Sequence, residues 1–424
     1  MKIKHIGKVS TQRYKNLDIE KGLKLSEGLN IFIGSNGSGK SNFIALLNFL
    51  KESISGNNVI TRDGVTNFVK AISNLGSSRI LNATYSLPEN IDLKFTFAVE
   101  NSVKNQLSLW LSLFCTDKIF PQVLEEHLSE SNEENNELFY YYRYYALSGH
   151  GTVFDTKDPL KKTAVFGIHS DEIGLSNIPN LLETPNNLPE IKILYDKYRQ
   201  ILDLVSSWRF YSANNMNLRE IRNAEPEIGS PEKHLNPDCE NLALVLDNLI
   251  QESIDFEDQL NVIMRDIVPQ TKRIRPIRTG RTRISIEWHL QNTKRPLYLD
   301  EMSDGTVRML CWAIILNSPN LPSLIVIDEP EVGLHVQWLS YLAEWIKNAA
   351  ARTQVIITTH SPDLLDKFTD RLENVHVFEA SNPEQTLFHV KTLSKERLQD
   401  RLDEGWELGD LYRVGEPEIG GWAL

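Results

Sequence analysis

Cysteine is scarce in this chain: Cys115, Cys239 and Cys311 are the only three in 424 residues, far apart and odd in number. No C-x-x-C pair or Cys/His cluster accompanies them, which argues against a disulfide framework and a zinc site. Long apolar runs are missing too; a stretch such as MLCWAIIL is too short to span a bilayer. The opening MKIKHIGKVS has no apolar centre of the kind a signal peptide needs. The expectation is a reducing, cytoplasmic compartment and no membrane. Positive charge is also in deficit, with a formal net charge of −12. That argues against a protein that coats nucleic acid over its whole surface, and leaves room for a local basic groove. No internal repeat of fixed period is present. What remains is an ordinary globular composition, 41% hydrophobic and 24% charged. The length predicts about two to three domains.

KIKHIG and LNIFIG read as β-strands, rich in β-branched residues and ended by glycine. GSNGSGKSN follows the second, and FIALLNFLKESI then carries apolar residues at helical spacing. RILNATYSL and LKFTFAV alternate like strands of a meander. Residues 101–297 have a different texture. Glu125–Leu138 is polar and acidic and reads as an exposed loop. Pro159, Pro179, Pro185, Pro189, Pro226, Pro231 and Pro237 interrupt any heptad pattern. They exclude a long coiled coil and predict a compact mixed α/β lobe. From Tyr298 the pattern sharpens: GTVRMLCWAIILN is a helix, and SLIVID is a near-continuous apolar strand of the parallel-sheet kind. VQWLSYLAEWIKNAA is an amphipathic helix with Trp338, Leu342 and Trp345 on one face, and QVIITT is a further buried strand. The expected fold is therefore α/β. Its mixed sheet core is built from residues 1–100 and 298–424, with the lobe of residues 101–297 inserted between them.

Gly34-Ser35-Asn36-Gly37-Ser38-Gly39-Lys40-Ser41 satisfies the pattern G-x-x-x-x-G-K-[ST], in the strand–loop–helix setting that a phosphate loop requires. Its glycines let backbone N–H groups turn toward phosphates. Lys40 is expected to reach the β- and γ-phosphates and Ser41 to ligate Mg²⁺, with Asn42 adjoining the loop. IVIDEP places two acids after a buried strand; Asp328 is the expected Mg²⁺-supporting acid and Glu329 the general base. Unpaired carboxylates there are costly without a cation. His360, at the end of QVIITTH, is expected to meet the γ-phosphate. EMSDGTVRML opens a helix with Ser303, Asp304 and Gly305, a setting that suits an anion through free N–H groups and the helix dipole; read alone, a simple N-cap is the favoured reading, and the neighbouring motifs turn it toward the anion site.

In this order the motifs resemble those of the ATP-binding-cassette class of ATPase heads. The compact insert is similar to the RecF-like and OLD-like branch and to stand-alone predicted AAA-family ATPases grouped with bacterial anti-phage defence and DNA repair. The family patterns IGxNGxGKSN, LSDGTxR and DEPExGLHP stand here as IGSNGSGKSN, MSDGTVR and DEPEVGLHV, with Val336 where the family has proline. The closing GDLYRVGEPEIGGW also looks like the family tail. The resemblance implies an ABC-type P-loop head that binds and hydrolyses ATP with Mg²⁺. It implies a homodimer in which the signature Ser303-Asp304-Gly305 of one protomer caps the nucleotide of the other. No strand end of Toprim type follows His360, so a nuclease effector is expected on a separate chain. A glutamine-type sensor loop is not evident, and Asn177 is the nearest candidate.

Other residues stay open. Tyr14 suits either adenine stacking or the core. Glu331 and His335 lie near the composite site. TKRIRPIRTGRTRI carries Lys272, Arg273, Arg275, Arg278, Arg281 and Arg283 and reads as a hairpin with its arginines on one side, either a DNA contact or a charge-protected edge. FYYYRYY reads as a strand with tyrosine on both faces or as a base-stacking run. Three functions are compatible with these features: a DNA-acting ATPase, a nucleotide-gated scaffold for a partner effector, and a transporter subunit. The large insert and absent glutamine loop disfavour the last.

Overall fold

The computed structural model describes residues 2–55, 65–100, 102–117, 120–132, 137–155, 158, 161–181, 188–380 and 387–420. Pro159 and Pro185, among the expected coiled-coil breakers, and part of the acidic stretch at 133–136 lie outside them. The chain forms two compact units. The first comprises Met1–Glu27, Gly34–Trp208 and Val377–Lys391; the second comprises Gly28–Ile33, Arg209–His376 and Thr392–Leu424.

In the first unit β1 (Ile3–Tyr14) pairs antiparallel with β2 (Leu17–Lys24), and the chain then enters β3 (Leu29–Gly34), of which only Gly34 belongs to this unit. On its other side β1 pairs with β4 (Glu89–Val99), which opens an antiparallel meander. The meander continues through β5 (Ser102–Cys115), β6 (Gln122–Asn132), β7 (Glu137–Tyr145), β8 (His150–Phe154) and β9 (Lys162–Gly167). Strand β5 shows why: Leu107, Leu109, Leu111 and Leu113 alternate with Ser108, Trp110 and Ser112 and are all fully buried. Ser112 on the other face donates to Asp92 at 2.7 Å. Helix α1 (Lys40–Ile54) buries Phe43, Leu46, Leu47 and Leu50. It is followed by α2 (Asn67–Leu75), α3 (Gly174–Leu181) and α4 (Pro189–Ser206).

Two expectations fail in this unit. Residues 125–132 belong to strand β6, not to a loop. Their acids are partnered: Glu125 takes Arg143 at 3.1 Å, and Glu130 takes Lys197 at 3.6 Å. Glu126 is fully buried and accepts from the Tyr142 hydroxyl and from the Gly174 and Leu175 amides at 2.6 and 2.9 Å, which anchors the start of α3. Burial pushes its carboxyl up to about 7. RILNATYSL is not a meander strand; Ser77–Ile80 is a 3-10 turn and Leu81 makes a single bridge to Tyr14. The tyrosine run is the expected strand, β7, with Tyr141, Tyr142 and Tyr144 all buried.

The second unit holds β10 (Arg209–Ser212), then α5 (Leu218–Asn223), α6 (Leu242–Glu252) and α7 (Ile254–Arg265). A separate antiparallel sheet of β11 (Thr271–Thr279), β12 (Arg283–Leu290) and β13 (Leu297–Tyr298) follows. Next come α8 (Asp304–Asn317), β14 (Leu324–Asp328), α9 (Leu339–Ala350) and β15 (Gln354–Thr358). Then α10 (Pro362–Asp366), α11 (Lys395–Asp403) and α12 (Leu408–Arg413) complete this unit, whereas most of β16 (Val375–Ala380) and of β17 (Phe388–Thr392) belongs to the first unit. Strands β10, β14, β15 and β3 pair in parallel, in that order. Leu324 to Ile327 and Val355 to Ile357 are fully buried, as the unbroken apolar runs predict. At about 1.5–3 kcal/mol for each large side chain buried, these strands are a main source of the unit's stability. Their register aligns Ser212 with Asp328, Asp328 with Thr358 and Thr358 with Phe32. The carboxyl ends of four parallel strands thus form one edge, where ligands of open α/β sheets bind. No helix among the described residues is long and apolar enough to cross a membrane.

Candidate nucleotide site

Strand β3 delivers the chain to the glycine loop, and α1 begins at Lys40. Two glycines there are demanded by space as well as by conformation. Gly34 has φ +146°, and a Cβ on it would lie 2.4 Å from the Phe378 carbonyl oxygen. Gly39 has φ +98°, and a Cβ would lie 2.4 Å from the Leu17 side chain. Lys40 is buried, and its ammonium donates to the carbonyls of Gly34 and Ser35 at 2.8 and 3.0 Å and to Ser38 Oγ at 3.3 Å. The cation is thus held inside the curl of the loop. Ser35, Asn36 and Gly37 line its outside, and Ser41 is exposed on the first turn of α1. The loop is braced from β1–β2: Asn16 donates to the Gly37 carbonyl at 2.5 Å and accepts from Asn42 at 2.7 Å. Tyr14 is a core residue. It is fully buried with its hydroxyl on the Asn42 carbonyl at 3.2 Å, so it is not presented for stacking on a base.

At the strand edge of the second unit, Asp328 Oδ1 accepts from Thr358 Oγ1 at 2.5 Å, and that hydroxyl oxygen accepts from the Glu329 amide at 3.1 Å. Glu329 has φ +51°, a left-handed conformation that is rare for a side chain of this size. The turn points its carboxylate between two partners. Asn214 Nδ2 donates to Oε2 at 3.3 Å, and His360 Nε2 stands 3.7 Å from Oε1. Glu331 accepts from Thr359 Oγ1 at 2.6 Å and from the His360 amide at 3.1 Å, which fixes the backbone at His360. Burial raises the Glu331 carboxyl above the ordinary carboxylate range. His335 caps the short turn Val336–Trp338 with Nδ1 accepting from Gln337 at 3.3 Å.

The signature segment is placed by its own set of contacts. Ser303 Oγ accepts from the Thr306 amide at 3.2 Å, so it is the N-cap of α8. Asp304 pairs with Arg222 of α5 at 2.5 Å, and Arg222 also donates to the Met302 carbonyl at 2.8 Å. A Cβ on Gly305 would come within 2.8 Å of the Trp338 ring. Arg308, one turn on, donates to the Ala213 carbonyl at 2.8 Å and lies against Gly333. Asn214, Arg222 and Arg308 were not singled out from sequence. The first two lie in the segment after β10, whose parallel pairing with β14 brings distant residues together. No short motif marks these two, whereas Arg308 ends the MSDGTVR pattern.

Asn177 donates to Glu172 at 2.6 Å on α3. In the hairpin, Arg278 stands opposite Ile284 and Thr279 opposite Arg283, so the arginines do not share one side. Ile284, Ile286 and Trp288 are the buried face. Arg273 pairs with Glu257 and Arg275 with Glu287 at 3.1 Å, which leaves Arg278, Arg281 and Arg283 at the exposed tip. Among the described residues there is no cluster of three or more His, Cys, Asp or Glu side chains able to hold a metal ion by itself.

A glycine loop between strand and helix, together with an acid pair at the edge of parallel strands, defines a P-loop ATPase fold of ABC type. The chain belongs to the AAA domain family described as a putative AbiEii toxin of a type IV toxin–antitoxin system, whose model matches residues 29–366. No curated protein matches it. Among solved structures it is similar to an SMC head bound to the C-winged helix domain of ScpA, with TM-score 0.51 and 12% identity, covering 93% of this chain and 99% of that one. An SMC head domain from Thermotoga maritima gives 0.43 at 12% identity, covering 92% and 99%. A head domain with an extended coiled coil from Pyrococcus furiosus, bound to the C-terminal domain of ScpA, gives 0.47 at 12% identity, covering 94% and 99%. Of these the first bears on the fold, and on the fold alone.

Proposed function

We propose that this protein binds and hydrolyses ATP with Mg²⁺, and that it does so as a homodimer closed around two nucleotides. On this reading the backbone of Gly34–Gly39 receives the phosphates and Lys40 neutralises the β- and γ-phosphates. Ser41 and Asp328 hold Mg²⁺, the latter as the acid behind the metal. Ser41 presents an exposed hydroxyl on the first turn of α1, and within its own unit Asp328 has its orientation set by Thr358. The metal would supply charge neutralisation at the phosphates. Glu329 takes the proton of the attacking water, with Asn214 and His360 beside its two oxygens. Ser303, Asp304 and Gly305 present the α8 N-terminus to the nucleotide of the other protomer. Residues 1–100 and 298–424 would form the ATPase head and 101–297 the inserted lobe, except that β10 and Asn214 of that stretch join the parallel sheet beside Glu329. The observation that carries the reading is the Glu329 turn, a left-handed acid at the same strand edge as His360. Backbone strain of that kind collects at functional sites.

We assign it the part of a sensor or motor ATPase in a bacterial defence or DNA-maintenance system, with a separate effector such as a nuclease; the family's description as a putative toxin of a type IV toxin–antitoxin system supports the defence side of this reading. Direct DNA contact is assigned to Arg278, Arg281 and Arg283 at the hairpin tip. If these touch phosphates, DNA will stimulate hydrolysis, the stimulation will fade as salt rises, and a triple alanine variant will lose it. Hydrolysis indifferent to DNA at low salt would instead favour a nucleotide-gated scaffold that controls its effector without touching DNA.

The composite site is tested by mixing two inactive variants. Lys40→Ala lacks nucleotide and Ser303→Arg blocks the signature. A mixed dimer retains one intact pairing of loop and signature, so activity should return on mixing. Two folded, individually inactive variants that stay inactive at every ratio would count against the shared site.

A further inference from the structure

The tail motif GDLYR lies beyond the matched family model, and the proposed chemistry gives it no task. Its placement suggests one. Helix α12 packs on α10, the short helix that begins two residues after His360. The Gly409 amide donates to Asp366 Oδ1 at 2.7 Å, and the Leu408 amide donates to Thr369 Oγ1 at 3.0 Å. The approach is so close that a Cβ on Gly409 would lie 2.0 Å from the Pro362 carbonyl oxygen. Arg413 closes the contact: it donates to Asp363 at 2.7 Å, to Asp366 at 3.4 Å and to Asp410 at 2.8 Å. Leu408, Leu411 and Tyr412 are buried beneath it. On the other side, α10 is tied to His360. Ser361 Oγ caps Leu364, the Ser361 amide donates to Thr359 Oγ1 at 3.0 Å, and the His360 amide is held by Glu331. A three-carboxylate clamp on a surface helix is thus linked, through one helix of five residues, to the backbone of a proposed nucleotide-side residue.

We infer that α12 is a positioning clamp, in which Arg413 and Gly409 hold α10 so that His360 keeps its place beside Glu329. Arg413 acts through His360 and touches no reactant. This inference rests on the reading of His360 given above.

The test uses the full chain and four variants: Arg413→Ala, Arg413→Lys, His360→Ala, and the double variant Arg413→Ala/His360→Ala. Arg413→Ala should lower kcat about tenfold while KM for ATP stays within about twofold. Lysine cannot reproduce the forked contacts and should restore only part of the rate. The double variant should be no slower than His360→Ala, because removing the clamp cannot misplace a side chain that is gone. Losses that multiply, or an Arg413→Ala variant with full kcat, would overturn the inference. Amide hydrogen exchange reads the clamp independently of catalysis. In Arg413→Ala, the amides of residues 360, 361 and 363–366 should exchange about tenfold faster, with those of β15 unchanged. Gly409→Ala should behave the same way. If His360→Ala keeps full activity, the reading of His360 falls; unchanged exchange at α10 defeats the clamp itself.

Discussion

Lys40 and Glu329 set the residue scale. The ammonium of Lys40 is surrounded by loop oxygens, so its removal unpairs three acceptors of the loop and takes away the charge that phosphates would meet. Lys40→Ala should weaken ATP binding by about 100-fold or more in a direct titration, given the charge it supplies. Unchanged affinity would remove the phosphate-loop assignment. Glu329 makes the opposite trade. Its φ of +51° costs about 1 kcal/mol, which glycine would not incur. Glu329→Gly should therefore match or exceed the parent in denaturation midpoint while losing turnover; a variant clearly less stable would show that the turn stores no strain. Much of the site was legible at this scale because its motifs are contiguous: the loop, Asp328-Glu329 and Ser303-Asp304-Gly305 each sit within a few residues. Asn214 was not legible. It meets Glu329 across 115 positions, through a strand register that no local pattern encodes. Tyr14 was ambiguous for a related reason, since only the fold shows its hydroxyl spent on the Asn42 carbonyl.

At the scale of elements, strands β14 and β15 and helix α8 follow directly from apolar runs and periodicity. Strand β6 does not, because its acids look solvated until their partners on β7, α3 and α4 are in place. Glu126 makes that burial measurable. Its folded-state carboxyl is raised from 4.5 to about 7, so the native state holds a proton that the unfolded chain releases earlier. The resulting stabilisation is complete below pH 4.5 and is lost as pH rises through about 7, a change of about 3 kcal/mol. His127 works in the other direction. Burial lowers it from 6.5 to about 4, so its contribution is present above pH 6.5 and fades as pH falls. The difference between the parent and Glu126→Gln isolates the carboxyl. In urea denaturation across this range, the parent should lose stability relative to the glutamine variant as pH rises. A difference that is flat with pH would mean that Glu126 stays charged in the fold. The arginine hairpin is an intermediate case: the turn at Gly280 was legible, but its arginines divide between two sides, because Arg275 and Arg278 stand three positions apart on a strand that alternates with period two.

At the scale of the whole molecule, the account requires that one chain be half of an active unit. The α8 N-terminus, with Ser303 as its cap and Asp304 held by Arg222, has no task in its own protomer's proposed chemistry. The family order of motifs gives it one on a second copy. The central claim is therefore best tested by sedimentation velocity of Glu329→Gln, which should bind ATP without turning it over. With Mg²⁺ and ATP the variant should sediment as two copies, and with ADP as one. A variant that binds ATP and still sediments as a single copy at every protein concentration would contradict the account.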